Sequence, residues 1–424
     1  MENKDINPIG ICYTWGGEQP CGFRRVDRRH HLYVLGKTGS GKTTFLRNLI
    51  LQDIMDGEGV GVVDPHGDLA HDLLDHIPSW RTDDVVYFNP ADLEFPVGFN
   101  VFYNVPKQSR HLVASGLVSA FKSIWRDSWG PRLEYILYAA AAALLDCENT
   151  SLLGVQRMLV DERYRAWVVK QVQDPMVRAF WVQEFARYDP RFVREAIAPI
   201  QNKVGQLLMA PPVRNILGQV RSKIDPRFIM DRRRIFIANL AKGKLGEEKA
   251  NLLGSILMTQ FQLAAMSRGD TPEGQRPDFF LFIDEFHNFT TDSFASILAE
   301  ARKYRLCLTL SHQYTDQLSQ EIRQAVFGNV GTMVAFRVGY ADAEILEQEF
   351  SHAFHAGEFI DLPKFEVLMK VAVDGQSSFR RARALAPLSN HCGRREHLIR
   401  RSREKYATSR EVVEGKFARW MEGR

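Results

Sequence analysis

The 424-residue chain contains no uninterrupted apolar run of about eighteen residues, so no segment reads as a membrane-spanning helix. Its first ten residues, MENKDINPIG, lack the apolar core of a signal peptide. Cysteine is scarce. The five residues stand at positions 12, 21, 147, 307 and 392, and no two form a CxxC pair. That argues against a zinc ribbon or a disulfide framework and fits a reducing compartment. Internal repeats and long low-complexity tracts are also missing. With 45% hydrophobic and 25% charged residues, the composition excludes a collagen-like, coiled-coil or wholly disordered chain. The length suits roughly two to four domains, with enough chain to bury a core without disulfides.

Net charge is only +4, but it is unevenly placed. Residues 376–424 hold thirteen Lys/Arg against five Asp/Glu. A basic tail on a mildly acidic body points to an acidic or polyanionic partner, or to a solvated helix face.

What is present is an alternation of short apolar runs and helices, the pattern of a parallel α/β sheet covered on both faces. Runs at 32–35 (LYVL), 60–63 and 84–88 predict strands, with a helix from Thr43 to about Met55. Between Lys107 and Asp225 strand-like runs disappear. A helix opens at Gly130-Pro131 and carries Leu133, Ile136, Leu137, Ala140, Leu144 and Leu145 at helical spacing. Trp167, Phe180, Trp181 and Phe185 are expected in the core of this block. Strands return at 234–240, 279–283 and 306–310, with helices over 247–266 and 293–304. The expected organisation is an α/β domain in two parts, 1–106 and 229–390. An inserted all-α domain, 107–228, interrupts it, and a basic tail, 391–424, follows.

Gly36-Lys37-Thr38-Gly39-Ser40-Gly41-Lys42-Thr43 fits GxxxxGK[ST] at every fixed position, between a strand and a helix. Glycines let the loop curl so that backbone N–H groups face phosphate oxygens. The helix N-terminus adds a favourable dipole. Residues 36–43 and Thr44 are therefore the expected nucleotide-binding residues. Lys42 would reach the β- and γ-phosphates, and Thr43 would ligate Mg²⁺. The strand FFLFI at 279–283 ends in Asp284 and Glu285, two carboxylates delivered to the edge where a nucleotide would sit. Asp284 would hold Mg²⁺, and Glu285 would act as general base for the attacking water. Gln313, just past the strand 306–310, could touch the γ-phosphate or the water. Arg302, in the helix before that strand, could serve a neighbouring subunit's site. A solvated amide and a surface arginine remain the alternatives on spacing alone. Asp64, His66 and Asp68 read as a strand-to-loop turn rather than a metal cluster. Lys242, Lys244 and the arginines of 380–405 are candidate phosphate contacts for DNA.

These motifs resemble the HerA–FtsK superfamily of DNA-pumping ATPases, and among them the coupling proteins of conjugation and type IV secretion (TraG/TraD type). The resemblance rests on GKTGSGKTT at 36–44, VVDPHGDL at 62–69, FNPAD at 88–92 and IANLAKGKLGEEKANLLGS at 237–255. It rests further on FIDEFHNF at 282–289, AEARKYRLCLTLSHQ at 299–313 and SREKYATSREVVEG at 402–415. It implies a RecA-like P-loop NTPase core, its mainly parallel sheet placing strand 306–310 between the P-loop strand and the Asp284-Glu285 strand. It implies an ATP hydrolase using ATP and Mg²⁺, assembled as a ring, usually a hexamer, that translocates DNA without reading its sequence. Arg302 would then act in trans and Gln313 as the sensor glutamine. The helical insertion would recognise a relaxase or another secretion substrate. Coupling proteins of this type begin with two membrane-spanning helices, which this sequence does not show. The expected location is therefore cytoplasmic, with any contact with the inner face of the membrane made through partner proteins. A HerA-like helicase in repair or defence, and a nucleotide-switched adaptor that does not translocate, are the alternatives.

Overall fold

The computed structural model describes residues 5–291, 294–373 and 376–422. By internal contacts the chain divides into two compact units. One comprises Met1–Tyr87, Arg227–Asn239 and Ala264–Arg401; the other comprises Phe88–Pro226, Leu240–Leu263 and Ser402–Arg424.

The first unit is built on one eleven-stranded sheet. Its strands are β1 (Ile6–Thr14), β2 (Gly17–Arg24), β3 (Leu32–Leu35), β4 (Gly59–Asp64), β5 (Val85–Phe88) and β6 (Ile235–Asn239). They continue with β7 (Phe279–Ile283), β8 (Leu306–His312), β9 (Thr332–Ala335), β10 (Glu366–Val373) and β11 (Gln376–Ala384). Spatial order is β2-β1-β11-β10-β9-β3-β8-β7-β4-β6-β5. The β9-β3-β8-β7-β4-β6 pairs are parallel, and every residue of these six strands is buried. A strand covered on both faces is apolar along most of its length, which is why most of these segments read as near-continuous runs. Strand β8 does lie between β3 and β7, as the resemblance implied.

The other end of the sheet is antiparallel: β9-β10, β10-β11, β11-β1 and β1-β2. These strands have one face or an edge in water, so their sequences mix polar and apolar residues and carry no continuous run. The β1-β2 hairpin also corrects the reading of the cysteines. Cys12 and Cys21 are brought together across it and form a disulfide. A spacing of nine residues is no motif in sequence, but a hairpin closes it.

The helices on the sheet begin with α1 (Lys42–Met55), which follows the Gly-rich loop, and α2 (Asp68–Leu74). The helix expected over 293–304 begins outside the described residues. It runs Phe294–Glu300 and tightens to a 3₁₀ turn over Ala301–Tyr304.

In the second unit no strand lies between Asn89 and Pro226. Pro131 occupies the first turn of its helix, Pro131–Leu145, where a missing N–H costs nothing. Phe180, Trp181 and Phe185 are buried, but Trp167 is 47% exposed. On the short helix Glu162–Val169 it is Val168 that faces inward, one position round the helix. The helix Arg110–Ile124 approaches the helix Glu247–Ser267 closely at Gly116, where a Cβ would stand 2.4 Å from Thr259 Cγ2. The tail forms two helices, Arg395–Tyr406 and Arg410–Met421, and its last two residues lie outside the described ones. No described helix is long and apolar enough to cross a membrane.

One buried histidine ties the sheet to its helical cover. His31 Nδ1 accepts from the Leu308 N–H at 3.1 Å, and Nε2 lies 3.1 Å from the Leu298 carbonyl. The two backbone partners demand a neutral ring with its proton on Nε2. Burial accordingly lowers its pKa to about 4. Because the folded value lies below the unfolded value of about 6.5, this stability is fully present above pH 6.5. It is lost as pH falls through 4, by on the order of 3 kcal/mol. Thermal melting measured between pH 7 and pH 4 should show a smaller fall for His31→Asn than for the parent chain.

Candidate nucleotide site

The site forms at the carboxyl ends of β3, β8 and β7. Pairing of Leu35 with His312 and of Ile283 with Leu310 sets the three strand ends side by side. Neighbouring strands are about 4.8 Å apart, so groups leaving adjacent ends fall within contact of one another.

The loop after β3 curls back on itself. The Ser40 hydroxyl donates to the Lys37 carbonyl at 2.7 Å, and the Lys37 N–H donates to the Arg337 carbonyl at 2.9 Å. Gly41, at φ 119°, caps α1 in a conformation that side chains rarely adopt. A Cβ there would stand 2.7 Å from the Phe365 ring, and one on Gly36 would stand 2.5 Å from Phe336 Cβ. The glycines thus serve both the turn and close packing beneath it. Lys37, Thr38, Gly39 and Thr43 are exposed, and Thr44 is half-buried.

Lys42 points into the site. Its Nζ donates to the His312 carbonyl at 3.1 Å and lies 3.8 Å from Glu285 Oε1. Both side chains are only 8% exposed. Burial lowers the Lys42 pKa and raises that of Glu285, while each charge partly restores the other. Glu285 leaves β7 in the left-handed region (φ 45°, ψ 48°), which for a residue with a Cβ costs about 1–2 kcal/mol. Gln313 bridges the two sides. Its Nε2 donates to Glu285 Oε1 at 2.9 Å, and its Oε1 accepts from the Thr38 hydroxyl at 3.0 Å. Asp284 Oδ1 accepts from the Ser311 hydroxyl and from the Glu285 N–H.

The structure therefore gathers Lys42, Asp284, Glu285, Gln313 and the Gly-rich loop. It does not bring Arg302 to them. Arg302 is exposed on the 3₁₀ turn Ala301–Tyr304, before β8 begins. Seven residues of extended strand separate the ends of β8, roughly 20 Å. Asp64 makes a turn: Oδ1 accepts from the His66 N–H and Oδ2 from the Ala70 N–H, both at 2.9 Å. Its two oxygens thus hold the entry to α2.

Three neighbours were not singled out from sequence. His312 packs its ring on Phe286, and its Nε2 shares a 2.6 Å hydrogen bond with the Tyr33 hydroxyl. Burial lowers the His312 pKa to about 3. His287 Nδ1 lies 3.5 Å from Glu285 Oε2. Ser311 holds Asp284. The available signal was the polar run Ser311-His312-Gln313 ending an apolar strand.

The DNA-contact candidates are largely engaged within the chain. Lys242 pairs with Glu247, Arg381 with Glu366, Arg383 with Glu18, and Arg395 with Asp75. Arg401 pairs with Asp83 and Arg403 with Asp92. Lys244 is exposed.

Residues 25–112 match the family described as helicase HerA, central domain. The bacterial conjugative coupling protein TrwB, in complex with a non-hydrolysable ATP analogue, superposes with a TM-score of 0.63 at 16% identity. That match covers 88% of this chain and 89% of TrwB. VirB4 of Thermoanaerobacter pseudethanolicus superposes with a TM-score of 0.57 at 14% identity, covering 89% of this chain and 96% of VirB4. The chain shares its fold with TrwB and VirB4. No curated protein matches the chain by sequence.

At Gly39 the loop is open to a phosphate, since a Cβ there would meet nothing within 4 Å. A hydroxyl on the first turn of α1, Thr43, and a carboxylate on the third strand end, Asp284, suit Mg²⁺. Gly41→Ala should remove this fit, by strain at φ 119° and by the clash with Phe365. Calorimetric titration with an ATP analogue should show at least a tenfold loss of affinity, with the rest of the fold retained by circular dichroism.

Proposed function

We propose that this chain is an ATP hydrolase of conjugative or type IV secretion DNA transfer, which couples turnover to DNA translocation as a ring, a homohexamer. The observation that carries the reading is the convergence of Lys42, Glu285 and Gln313 at the ends of β3, β7 and β8. The fold shared with TrwB and VirB4 and the match to HerA support it.

In this reading Lys42 turns from Glu285 toward the β- and γ-phosphates, and residues 36–44 hold the triphosphate through backbone N–H groups. Thr43 and Asp284 hold Mg²⁺, which supplies charge neutralisation on the phosphate oxygens. Glu285 accepts the proton of the attacking water. Gln313 links the γ-phosphate side, through Thr38, to this base. Arg302, at the far end of β8 from its own loop, serves the next subunit's site in the ring. DNA is held through its backbone, and the helical segment 107–228 takes the relaxase or another secretion substrate. Membrane contact runs through partner proteins. The HerA match also favours a second reading, a helicase or translocase of repair or defence. Unwinding of blunt duplex DNA by the purified chain would favour that reading.

Glu285→Gln should retain ATP binding and lose turnover by at least a hundredfold, because an amide cannot take the proton. Wild-type turnover should rise with added DNA; an adaptor's would not. The raised pKa of Glu285 places the acid limb of the turnover profile above the ordinary carboxylate range. The Gln313 hydrogen bond favours the charged form, so Gln313→Ala should move that limb to higher pH.

Arg302→Ala should be nearly inactive with ATP still bound. Mixing it with Glu285→Gln should restore part of the turnover, because some interfaces then pair an intact Glu285 with an intact Arg302. No recovery in mixed rings, confirmed by mass, would refute the trans role.

A further inference from the structure

The second unit contains a cleft of about 580 Å³ that plays no part in the nucleotide site. One wall is the C-terminal helix Arg410–Met421. The other is made by the segments 149–153 and 218–223. Val413, Phe417 and Trp420 recur on that helix at i, i+4 and i+7, one face of an α-helix, and all three line the cleft. The fit is close at its base: a Cβ on Gly218 would stand 2.9 Å from Phe417 Cζ.

The charge lining the cleft is of one sign. Arg221, Lys223 and Lys416 contribute to it, and no Asp or Glu does. All three are exposed, and none has an ion-pair partner among the described residues. This contrasts with the neighbouring Arg410, whose guanidinium is held by Glu94 and Glu414. The cations come from both walls, Lys416 from the helix and Arg221 and Lys223 from the facing segment. A ligand satisfying them therefore carries several anionic groups spread along its length, not one phosphate.

The character of the lining favours a peptide over a nucleic acid. Single-stranded nucleic acid binds such a groove by stacking bases on free aromatic faces. Here Arg157 stands 4.8 Å from the Tyr164 ring centroid and 4.9 Å from that of Trp420, and Trp167 packs on Tyr164 at 5.6 Å. One face of each of the Tyr164 and Trp420 rings is thus taken by a guanidinium, and much of the remaining apolar lining is aliphatic, from Leu153, Val220 and Val413, which offer no ring for a base to stack on. Acidic side chains on an extended segment, with an apolar side chain between them, match both features.

We infer that this cleft is a docking site for an acidic peptide segment of a partner protein. The inference deepens the reading of the helical segment as the part that takes secretion substrates, and rests on it.

The test uses the full chain and fluorescence anisotropy with a labelled peptide of glutamates and interspersed leucines. The same peptide with glutamine in place of glutamate, and a labelled oligothymidylate, serve as comparisons. The glutamate peptide should bind at least tenfold more tightly than the glutamine peptide. The double variant Lys223→Glu with Lys416→Glu should lose at least tenfold in affinity for it, with melting temperature and ATP turnover retained. No binding by the parent chain, equal binding of the two peptides, or unchanged binding by the variant would overturn the inference. So would oligothymidylate binding that the same variant abolishes in place of peptide binding. If the peptide follows the expected pattern but DNA fails to stimulate turnover, the translocase reading falls and the cleft assignment stands.

Discussion

Insertion of β8 in parallel between β3 and β7 is the constraint on which the candidate site depends. Leu35 is paired with His312, and Ile283 with Leu310. The residues that follow each strand therefore emerge on one edge, about one strand spacing apart. A parallel sheet also directs every preceding residue to the opposite edge. That is why Gln313 meets Glu285 while Arg302, on the same strand-flanking segment, is held away from its own loop.

At this edge the chain accepts costs that a purely structural edge would avoid. Two ionisable side chains are buried together, and desolvation works against both charged forms. The pair persists because Lys42 has the His312 carbonyl and Glu285 has the Gln313 amide as further partners. Glu285 also holds a left-handed backbone that few residues with side chains adopt. Strain, buried charge and a loop crowded by Phe336 and Phe365 coincide at one place. Such coincidence is characteristic of sites kept for chemistry.

The second unit follows different physics. It has no edge of strand ends to gather groups, and its helices pack through apolar stripes and a close approach at Gly116. Its distinctive feature is a surface where cations lack counter-charges while neighbouring ones have them. Elsewhere in the basic stretch Arg381, Arg383, Arg395, Arg401 and Arg403 are each paired with a carboxylate distant in the chain. A local excess of charge in sequence is thus a poor guide to free charge on the surface.

The sequence by itself determined the strands β3 to β8, the Gly-rich loop and the carboxylates at the end of β7. In each case the information is local. A strand covered on both faces is apolar along most of its length, and a loop that cradles phosphate must have glycine at fixed spacings. The antiparallel strands β1, β2, β10 and β11 went unread because they mix polar and apolar residues, and so did the buried β9, whose four residues open on Thr332. Trp167 was misplaced because a one-position rotation on a short helix exchanges inside for outside. Only the tertiary structure decided which distant residues meet: Cys12 with Cys21, Gln313 with Thr38 and Glu285, and His312 with Tyr33 and Lys42. Those meetings depend on strand order and register. Both are fixed by the packing of the whole sheet, and no local pattern of residues encodes them.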